Sequence, residues 1–261
     1  MVKKPDWVIQ KEQARRRAKD QTVWLFGLHA VRDALLNPRR DRLRLVVTKN
    51  ALDRLGADAV AEGGLTPEIA DPRRFPAPLD PGSVHQGAAL EVRPLDWGGL
   101  EGILARPGPL RLVLLDRVTD PHNVGAILRS SEVFGADAVI APARHAAPET
   151  GALAKAASGA LERQPYLRVG NLGGALRRLG EAGLYRIGLD GAADMSLTAA
   201  AKTAADAGIA IVLGAEGPGL RQGTRALCDC LARIPSVADF ASLNVSNAAA
   251  VALYAIASGA P

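Results

Sequence analysis

The sequence predicts an α/β fold built around a mainly parallel sheet. The 261 residues are enough for two domains with their own cores, and 48% apolar with 23% charged residues is typical of a soluble globular protein. In the second half of the chain, short apolar runs of the buried-strand type alternate with helical stretches. These runs are 111–116, 137–142, 184–190, 209–214 and 231–235. Because ligands bind at the carboxyl ends of parallel strands, the loops that follow the runs are the candidate functional segments.

A basic arm over residues 1–21 begins the chain. Its charges are Lys3, Lys4, Lys11, Arg15, Arg16, Arg17 and Lys19 against Asp6, Glu12 and Asp20. Most of the chain's net charge of +5 therefore lies in the arm, which indicates a polyanionic partner such as nucleic acid. A solvated tail that keeps the protein soluble is the alternative, and the arm alone does not separate the two.

Residues 22–94 are predicted to form a small α/β unit. Its elements are an apolar run and a helix over 23–36, a strand over 42–50, a helix over 51–62, a proline-rich stretch over 66–82 and a strand over 87–94. The next stretch, 95–109, has four glycines and two prolines and is interpreted as a linker. The second domain then covers residues 110–261.

The first candidate loop follows the strand 111–116. Asp120 and Pro121 interrupt the backbone, and Asn123 is expected to cap the helix that follows. Arg129 lies about one and a half turns into that helix, and long helical side chains lean toward the N-terminus, so we expect it to reach the same loop. Free backbone N–H groups at the helix start favour a phosphate there. A capped helix with an exposed arginine is the alternative interpretation.

The second candidate loop, GAEGPGL at residues 214–220, follows the strand 209–214. Gly214, Gly217 and Gly219 allow a tight turn or a close approach of the backbone to a ligand, and Glu216 lies among them. The spacing differs from the dinucleotide fingerprint, and no glycine-rich turn follows the first strand of this domain, which argues against a nicotinamide-dependent dehydrogenase. A plain glycine turn is the alternative interpretation.

The third candidate segment, residues 242–257, predicts an apolar helix of small residues. Ser242 is expected to be its N-cap. Asn244 and Ser246 put further polar groups in the first turn, and capping by Ser242 does not explain Asn244.

Three motifs in this order, DPHNVGAILRS, VLGAEGPGL and IPSVADFASLNVSNAAA, resemble the signature motifs of the SpoU (TrmH-like) RNA ribose 2′-O-methyltransferases of the SPOUT superfamily. The segment KAASGALE at 155–162 is also similar to one that the family carries. FGLHAVRDAL and HQGAALEV resemble the opening and closing segments of the small ribosomal-protein-like RNA-binding domain found in many members. The chain is most similar to the two-domain ribosomal RNA guanosine 2′-O-methyltransferases.

The resemblance implies a fold, a cofactor and partners. The second domain is expected to contain a C-terminal trefoil knot that holds S-adenosylmethionine largely through backbone groups. The implied cofactor-binding residues are Gly214, Ala215, Gly217, Ile234 and Leu243. The implied catalytic residues are Asn123, Arg129, Glu216, Ser242 and Asn244. Family members act as homodimers with active sites at the interface, and the expected substrate is RNA, with ribosomal RNA preferred to transfer RNA.

The resemblance leaves three questions open. Ser236 and Ala238 stand where many members have Met and Gly, which puts the surroundings of the adenine in doubt. Arginine stays protonated in proteins, so we expect Arg129 to hold an RNA phosphate and polarise the hydroxyl, with proton removal by Arg129 as the alternative. A transfer RNA methyltransferase and a non-catalytic RNA-binding protein of ribosome assembly are the alternative functions.

Several features are not expected. No apolar run is long enough for a transmembrane helix, and the first twenty residues lack the apolar core of a signal peptide, so we expect a cytoplasmic protein without a membrane partner. Cys228 and Cys230, one residue apart, are not part of a His/Cys cluster, so no metal site is expected and both are interpreted as buried thiols.

Overall fold

The computed structural model describes residues 21–204, 207–236 and 243–259. The chain divides into two compact units, of which the first comprises residues up to Asp96 together with Glu149–Lys155 and the second comprises Trp97–Pro148 and the chain from Ala156 onward. Residues 1–20 of the basic arm, Ala238 and Ser242 lie outside the described residues.

In its described residues up to Asp96, the first unit has a four-stranded sheet and three helices. Its strands are β1 (Val23–Phe26), β2 (Arg42–Val47), β3 (Glu68–Ile69) and β4 (Ala88–Val92), and its helices are α1 (Leu28–Leu36), α2 (Lys49–Leu55) and α3 (Ala57–Gly63). The strand order is β1-β4-β2-β3, with β4 antiparallel to β1 and β2, and β3 parallel to β2. Leu25, Leu90 and Leu45 form one buried row across three strands. This row is part of the core that stabilises the sheet.

The helix expected over 51–62 is interrupted in the structure. Gly56 separates α2 from α3 with a φ of 86°, a value that favours glycine. Helix α2 also begins earlier than expected, because the Thr48 side chain accepts a hydrogen bond from the Ala51 backbone N (3.2 Å).

Residues 149–155 belong to the first unit although they lie far along the chain. The buried Arg40 guanidinium donates to Glu149 Oε1 at 2.6 Å. A Cβ on Gly151 would lie 2.3 Å from the carbonyl oxygen of Trp24, so this segment packs directly on β1. The domain division expected from the sequence does not include this segment, because the ion pair joins residues 109 positions apart.

The second unit contains the remaining strands of the described chain, and the helix Gly151–Ala157 begins in the segment 149–155 that belongs to the first unit. Its strands are β5 (Arg111–Asp116), β6 (Ala138–Pro142), β7 (Tyr166–Val169), β8 (Tyr185–Leu189), β9 (Met195–Ser196), β10 (Ile209–Gly214) and β11 (Cys230–Arg233). The helices from residue 97 onward are α4 (Leu100–Leu104), α5 (Pro121–Val133), α6 (Gly151–Ala157), α7 (Leu172–Glu181), α8 (Leu197–Thr203), α9 (Gln222–Arg225) and α10 (Val245–Ala257), with a 3₁₀ turn at Ala160–Glu162.

These seven strands form one sheet in the order β7-β6-β5-β10-β8-β11-β9, and every pair is parallel. The central strands β5 and β10 pair along their whole length, from Arg111 opposite Ile209 to Asp116 opposite Gly214. Leu112–Leu115 of β5 are almost fully buried, as expected for a strand covered on both faces. The predicted α/β fold with a parallel sheet is therefore confirmed.

Two parts of this unit differ from the sequence-based expectation. Strands β7 and β9 were not predicted, because each is short and lies at an edge of the sheet. The stretch 95–109, expected to be a linker, contains α4, whose Ile103 is buried in the core beside Leu110 and Leu176.

Candidate active site

Three strands end at the same edge of the second sheet. β5 ends at Asp116, β8 at Leu189 and β10 at Gly214, and β10 lies between the other two and is parallel to both. The carboxyl ends of the three strands therefore lie together. The loops after β5 and β10 are the first two candidate loops of the sequence.

Helix α5 begins in the first of these loops, and Asp120 is its cap. The Asp120 carboxylate accepts hydrogen bonds from the backbone N–H groups of His122 (3.2 Å) and Asn123 (3.1 Å), and Pro121 occupies the first turn. The expectation that Asn123 caps this helix is therefore wrong. Because Asp120 satisfies the backbone, the amide of Asn123 is available for contacts with other loops.

The glycine-rich loop after β10 is a tight turn. The backbone N of Gly219 donates to the carbonyl oxygen of Ala215 at 2.9 Å, and Gly217 and Gly219 have φ values of 82° and 66°. The turn folds back on the end of β10 so closely that a Cβ on Gly214 would lie 2.2 Å from the carbonyl carbon of Gly219. Glycine at 214 therefore allows the turn to pack this closely against β10.

Helix α10 begins beside the same edge, and Asn244 is its cap. The Asn244 side-chain oxygen accepts hydrogen bonds from the backbone N (2.9 Å) and the hydroxyl (2.6 Å) of Ser246. The expectation that Ser242 is the cap is wrong, because the helix starts two residues later. Capping therefore uses the side-chain oxygen of Asn244 and leaves its Nδ2 for other contacts.

The side-chain amide nitrogen of Asn244 joins the three candidate segments into one hydrogen-bonded network. Its Nδ2 donates to Asn123 Oδ1 (3.0 Å) and to Glu216 Oε1, and Asn123 Nδ2 donates to the same oxygen of Glu216 (3.1 Å). The carboxylate of Glu216 thus fixes the orientation of both amides. Residues separated by 93 and 121 positions in the sequence meet at one point.

A cavity of about 820 Å³ opens beside this network. Glu216 and Asn244 line it, and so do all five residues implied to bind a cofactor, namely Gly214, Ala215, Gly217, Ile234 and Leu243. Ser236, one of the two departures from the family motif, is also in the lining. The structure therefore gathers these residues around one pocket.

Arg129 lies apart from the network. Relative to Asn123 it is six residues further along α5, which is ~9 Å along the helix axis and roughly 120° around it. Its side chain is exposed, and it forms no hydrogen bond or ion pair with the residues that the structure describes. Within a single chain, Arg129 is thus not brought to Asn123, Glu216 and Asn244.

The family follows from a direct match. Residues 110–254, more than half of the chain, match the family described as the SpoU rRNA Methylase family. The chain belongs to the SpoU rRNA methylase family. The resemblance inferred from the three motifs is confirmed, and with it the prediction of a methyltransferase.

Individual SpoU relatives match almost the whole chain. The 23S rRNA (guanosine-2′-O-)-methyltransferase RlmB of Vibrio vulnificus is 37% identical over 246 residues, which is 88% of this chain and 94% of that protein. The SpoU methyltransferase AviRb from Streptomyces viridochromogenes has the same fold, with a TM-score of 0.77 and 22% identity over 94% of this chain and 91% of that one. Its structure in complex with the cofactor AdoMet gives a TM-score of 0.75 at 23% identity, with the same coverage of both chains.

Sequence reasoning missed a buried carboxylate that supports this SpoU site. Asp116, the last residue of β5, is fully buried and accepts hydrogen bonds from the backbone N (3.1 Å) and Nε (2.7 Å) of Arg221. It thereby ties the end of the glycine-rich loop to the neighbouring strand. An acidic residue directly after an apolar run was the available signal, because a carboxylate at that position is costly unless it is paired.

Two further features of the described residues concern a thiol and candidate metal ligands. Burial raises the pKa of the Cys228 thiol to about 12, so it stays neutral. Among the described residues, no group of three or more His, Cys, Asp or Glu side chains could hold a metal ion. None of the described helices is long and apolar enough to cross a membrane.

Proposed function

We propose that this chain transfers a methyl group from S-adenosylmethionine to the ribose 2′-hydroxyl of a guanosine in 23S ribosomal RNA. Family membership and the RlmB relative support the reaction and the substrate, and the AviRb complex supports the cofactor. The observation that carries the proposal is the network of Asn123, Glu216 and Asn244 beside the cavity.

The lining of the cavity fits this cofactor in its chemistry. Gly214 lets the glycine-rich turn fold back against β10 to form a wall of the cavity, and a Cβ on Gly217 would meet nothing within 4 Å, so the backbone there is open to a ligand. Most of the lining is apolar, which suits an adenine ring, and the Glu216 carboxylate offsets the positive charge of a sulfonium. We assign cofactor binding to Gly214, Ala215, Gly217, Ile234 and Leu243.

When bound, S-adenosylmethionine supplies an electrophilic methyl group on a positively charged sulfur. Transfer would break the sulfur–methyl bond, leave its electron pair on the sulfur, form an oxygen–methyl bond and release the proton of the hydroxyl to water. That hydroxyl is a weak nucleophile, so alignment and polarisation must supply most of the rate. Asn123 and Asn244 orient the substrate, Glu216 holds both amides, and Arg129 binds an RNA phosphate and polarises the hydroxyl. Ser242 is assigned to the same site by its place in the third motif.

A second copy of the chain completes the site in this proposal. The exposed side of α5 carries Arg129 and Val133 four residues apart, and the neighbouring α10 exposes Val251 and Tyr254. Val133, Val251 and Tyr254 are 69%, 42% and 57% exposed, which is unusual for large apolar side chains on two helices that pack together. A homodimer formed on this face covers them and brings Arg129 to its partner's network.

The first unit and the basic arm provide RNA docking. A cavity of about 800 Å³ in the first unit is lined by polar groups that suit phosphates and base edges and by exposed apolar groups that suit base faces. The polar groups include Lys49, Asn50, Asp71, His85 and Gln86, and the exposed apolar ones are Ile69, Pro72 and Val84.

The family's trefoil knot is also part of the proposal. Strand β11 lies inside the sheet between β8 and β9, and α10, which follows it in sequence, packs against α5. This arrangement supports a C-terminal segment that passes back through the chain next to the cofactor cavity. A 23S ribosomal RNA substrate further implies that the enzyme works in the cytoplasm.

Methyl transfer to isolated RNA tests the proposed reaction. We expect the purified chain to incorporate labelled methyl groups from S-adenosylmethionine into 23S ribosomal RNA taken from Escherichia coli that lacks its own RlmB. The label is expected on a guanosine 2′-oxygen. Alkaline hydrolysis detects this position, because the phosphodiester next to a methylated 2′-oxygen resists cleavage. Label in transfer RNA alone supports the alternative substrate, and binding of RNA without label contradicts the proposed enzyme.

Mixed dimers test whether the site is shared between copies. Dimers that pair an Arg129→Ala chain with a Glu216→Ala chain, isolated through two different tags, are expected to retain about half of the unaltered activity, because one of the two symmetric sites stays intact. Dimers of either variant alone are expected to be inactive. Inactive mixed dimers contradict the shared site. If each site were built from one chain alone, each of the two sites would carry one substitution and both would be inactive.

A further inference from the structure

The cofactor cavity is lined by a second acidic group, on the loop after β8. Asp190 is the first residue after this strand, and its side chain is 16% exposed and lines the cavity. Only two other charged residues are among the described residues of the lining, Glu216 and Arg225. Since Glu216 is engaged with Asn123 and Asn244, Asp190 is the remaining acidic group that faces the cavity.

The Asp190 carboxylate is held in a fixed orientation. Its Oδ1 accepts a hydrogen bond from the backbone N of Ala192 (2.9 Å), and its Oδ2 accepts one from the guanidinium of Arg225. Arg233 holds the same loop by donating to the carbonyl oxygens of Ala193 (2.7 Å) and Asp194 (2.9 Å). The loop is therefore preorganised.

The acceptor capacity of this carboxylate is half used. Each carboxylate oxygen can accept two hydrogen bonds, and the structure gives one protein donor to each. One acceptor position thus remains on each of two adjacent oxygens. A ligand group with two neighbouring hydrogen-bond donors can fill these two acceptor positions.

We propose that Asp190 accepts hydrogen bonds from the two ribose hydroxyls of the bound adenosine cofactor, with Arg225 as the positioning residue that orients the carboxylate. The inference rests on the proposed cofactor. A vicinal diol presents two neighbouring neutral donors, and acidic residues bind ribose hydroxyls in other α/β nucleotide sites. The ammonium of the methionine part fits less well, because Arg225 already neutralises Asp190 and would repel a second cation.

Calorimetry with S-adenosylhomocysteine and its 2′,3′-dideoxy analogue tests this contact. We expect the unaltered chain to bind the dideoxy analogue at least about tenfold more weakly, because hydrogen bonds to a charged acceptor are lost. Asp190→Asn is expected to bind S-adenosylhomocysteine about tenfold more weakly than the unaltered chain, and to bind the two ligands with nearly equal affinity. 5′-Methylthioadenosine, which keeps the ribose but lacks the amino acid, is also expected to bind Asp190→Asn about tenfold more weakly than it binds the unaltered chain.

Asp194→Asn is the matched control. Asp194 is exposed, lies four residues away in the same loop and is absent from the cavity lining, so its replacement is expected to leave all three affinities unchanged. Three results overturn the inference: equal affinity of the unaltered chain for the diol and dideoxy ligands, an equal loss for both ligands in Asp190→Asn, or unchanged binding of 5′-methylthioadenosine in that variant. The first of these needs no variant to fold. Failure of the unaltered chain to bind any of the ligands contradicts the proposed function itself.

Discussion

Arg129→Ala is expected to lower methyl transfer to less than about 1% of the unaltered rate, as the loss of one charged group from a transition state typically does. The affinity for S-adenosylmethionine is expected to change by no more than about threefold, because Arg129 is absent from the cavity lining. Initial rates on ribosomal RNA and calorimetry with the cofactor measure the two effects separately. A large loss of rate at constant cofactor affinity is the signature of a group that acts on the RNA.

The exposed position of Arg129 supports this separation. The guanidinium is not held by any described residue of its own chain, so its removal leaves no buried charge or orphaned partner behind. Exposed substitutions of this kind change stability by less than about 0.5 kcal/mol. An unchanged melting temperature is therefore expected to accompany the loss of activity.

Arg177→Ala is the matched control for this experiment. Arg177 is also an exposed arginine on a helix, α7, with no hydrogen bond or ion pair to the described residues, and it is not in the cavity lining. Its replacement is expected to leave the rate within about twofold. Full turnover by Arg129→Ala, or an equal loss in Arg177→Ala, contradicts the role assigned to Arg129.

The sequence predicted the parts of the fold that depend on local pattern. The apolar runs at 111–116 and 209–214 coincide with β5 and β10, because the centre of a parallel sheet buries both faces of a strand. The edge strands β7 and β9 lack that signal: they are short, and several of their side chains are partly exposed. Helix α4 was not predicted for a different reason, because glycines and prolines surround it and are typical of a linker.

The cap residues show why details of the site were not predictable. Asp120 and Asn123 are both good caps, as are Ser242 and Asn244, and local sequence does not decide between such neighbours. The choice has consequences at long range. Because Asp120 caps α5, Asn123 is free to donate to Glu216, and this contact depends on how β5 and β10 pair in the sheet.

The same reason explains why the supporting carboxylates were missed. Asp116 meets Arg221 across 105 residues, and Asp190 meets Arg225 across 35. Neither pair has a spacing that predicts contact, since both arise where neighbouring strands end at one edge. Motif resemblance found the residues that the family shares, whereas these pairs required coordinates.

Gly214→Ala is expected to raise the Kd for S-adenosylmethionine at least about tenfold and to lower the rate of methyl transfer at subsaturating cofactor in proportion. The added Cβ would lie 2.2 Å from the carbonyl carbon of Gly219 and 2.4 Å from the backbone N of Leu220. Both neighbours are backbone atoms, so the whole glycine-rich turn must move rather than one flexible side chain. That turn carries Glu216, and its movement also separates Glu216 from Asn123.

Gly223→Ala separates this effect from a general cost of replacing glycine. Gly223 lies in α9, just after the same turn, and a Cβ there would meet nothing within 4 Å. Alanine is the better helix former, so this variant is expected to keep its melting temperature and its cofactor affinity. Gly214→Ala, in contrast, is expected to lose about 1–3 kcal/mol of folding stability through overpacking, in addition to its weaker binding. Unchanged cofactor affinity in Gly214→Ala would mean that the turn after β10 is not a wall of the cofactor site, because the clash cannot be relieved without moving that wall.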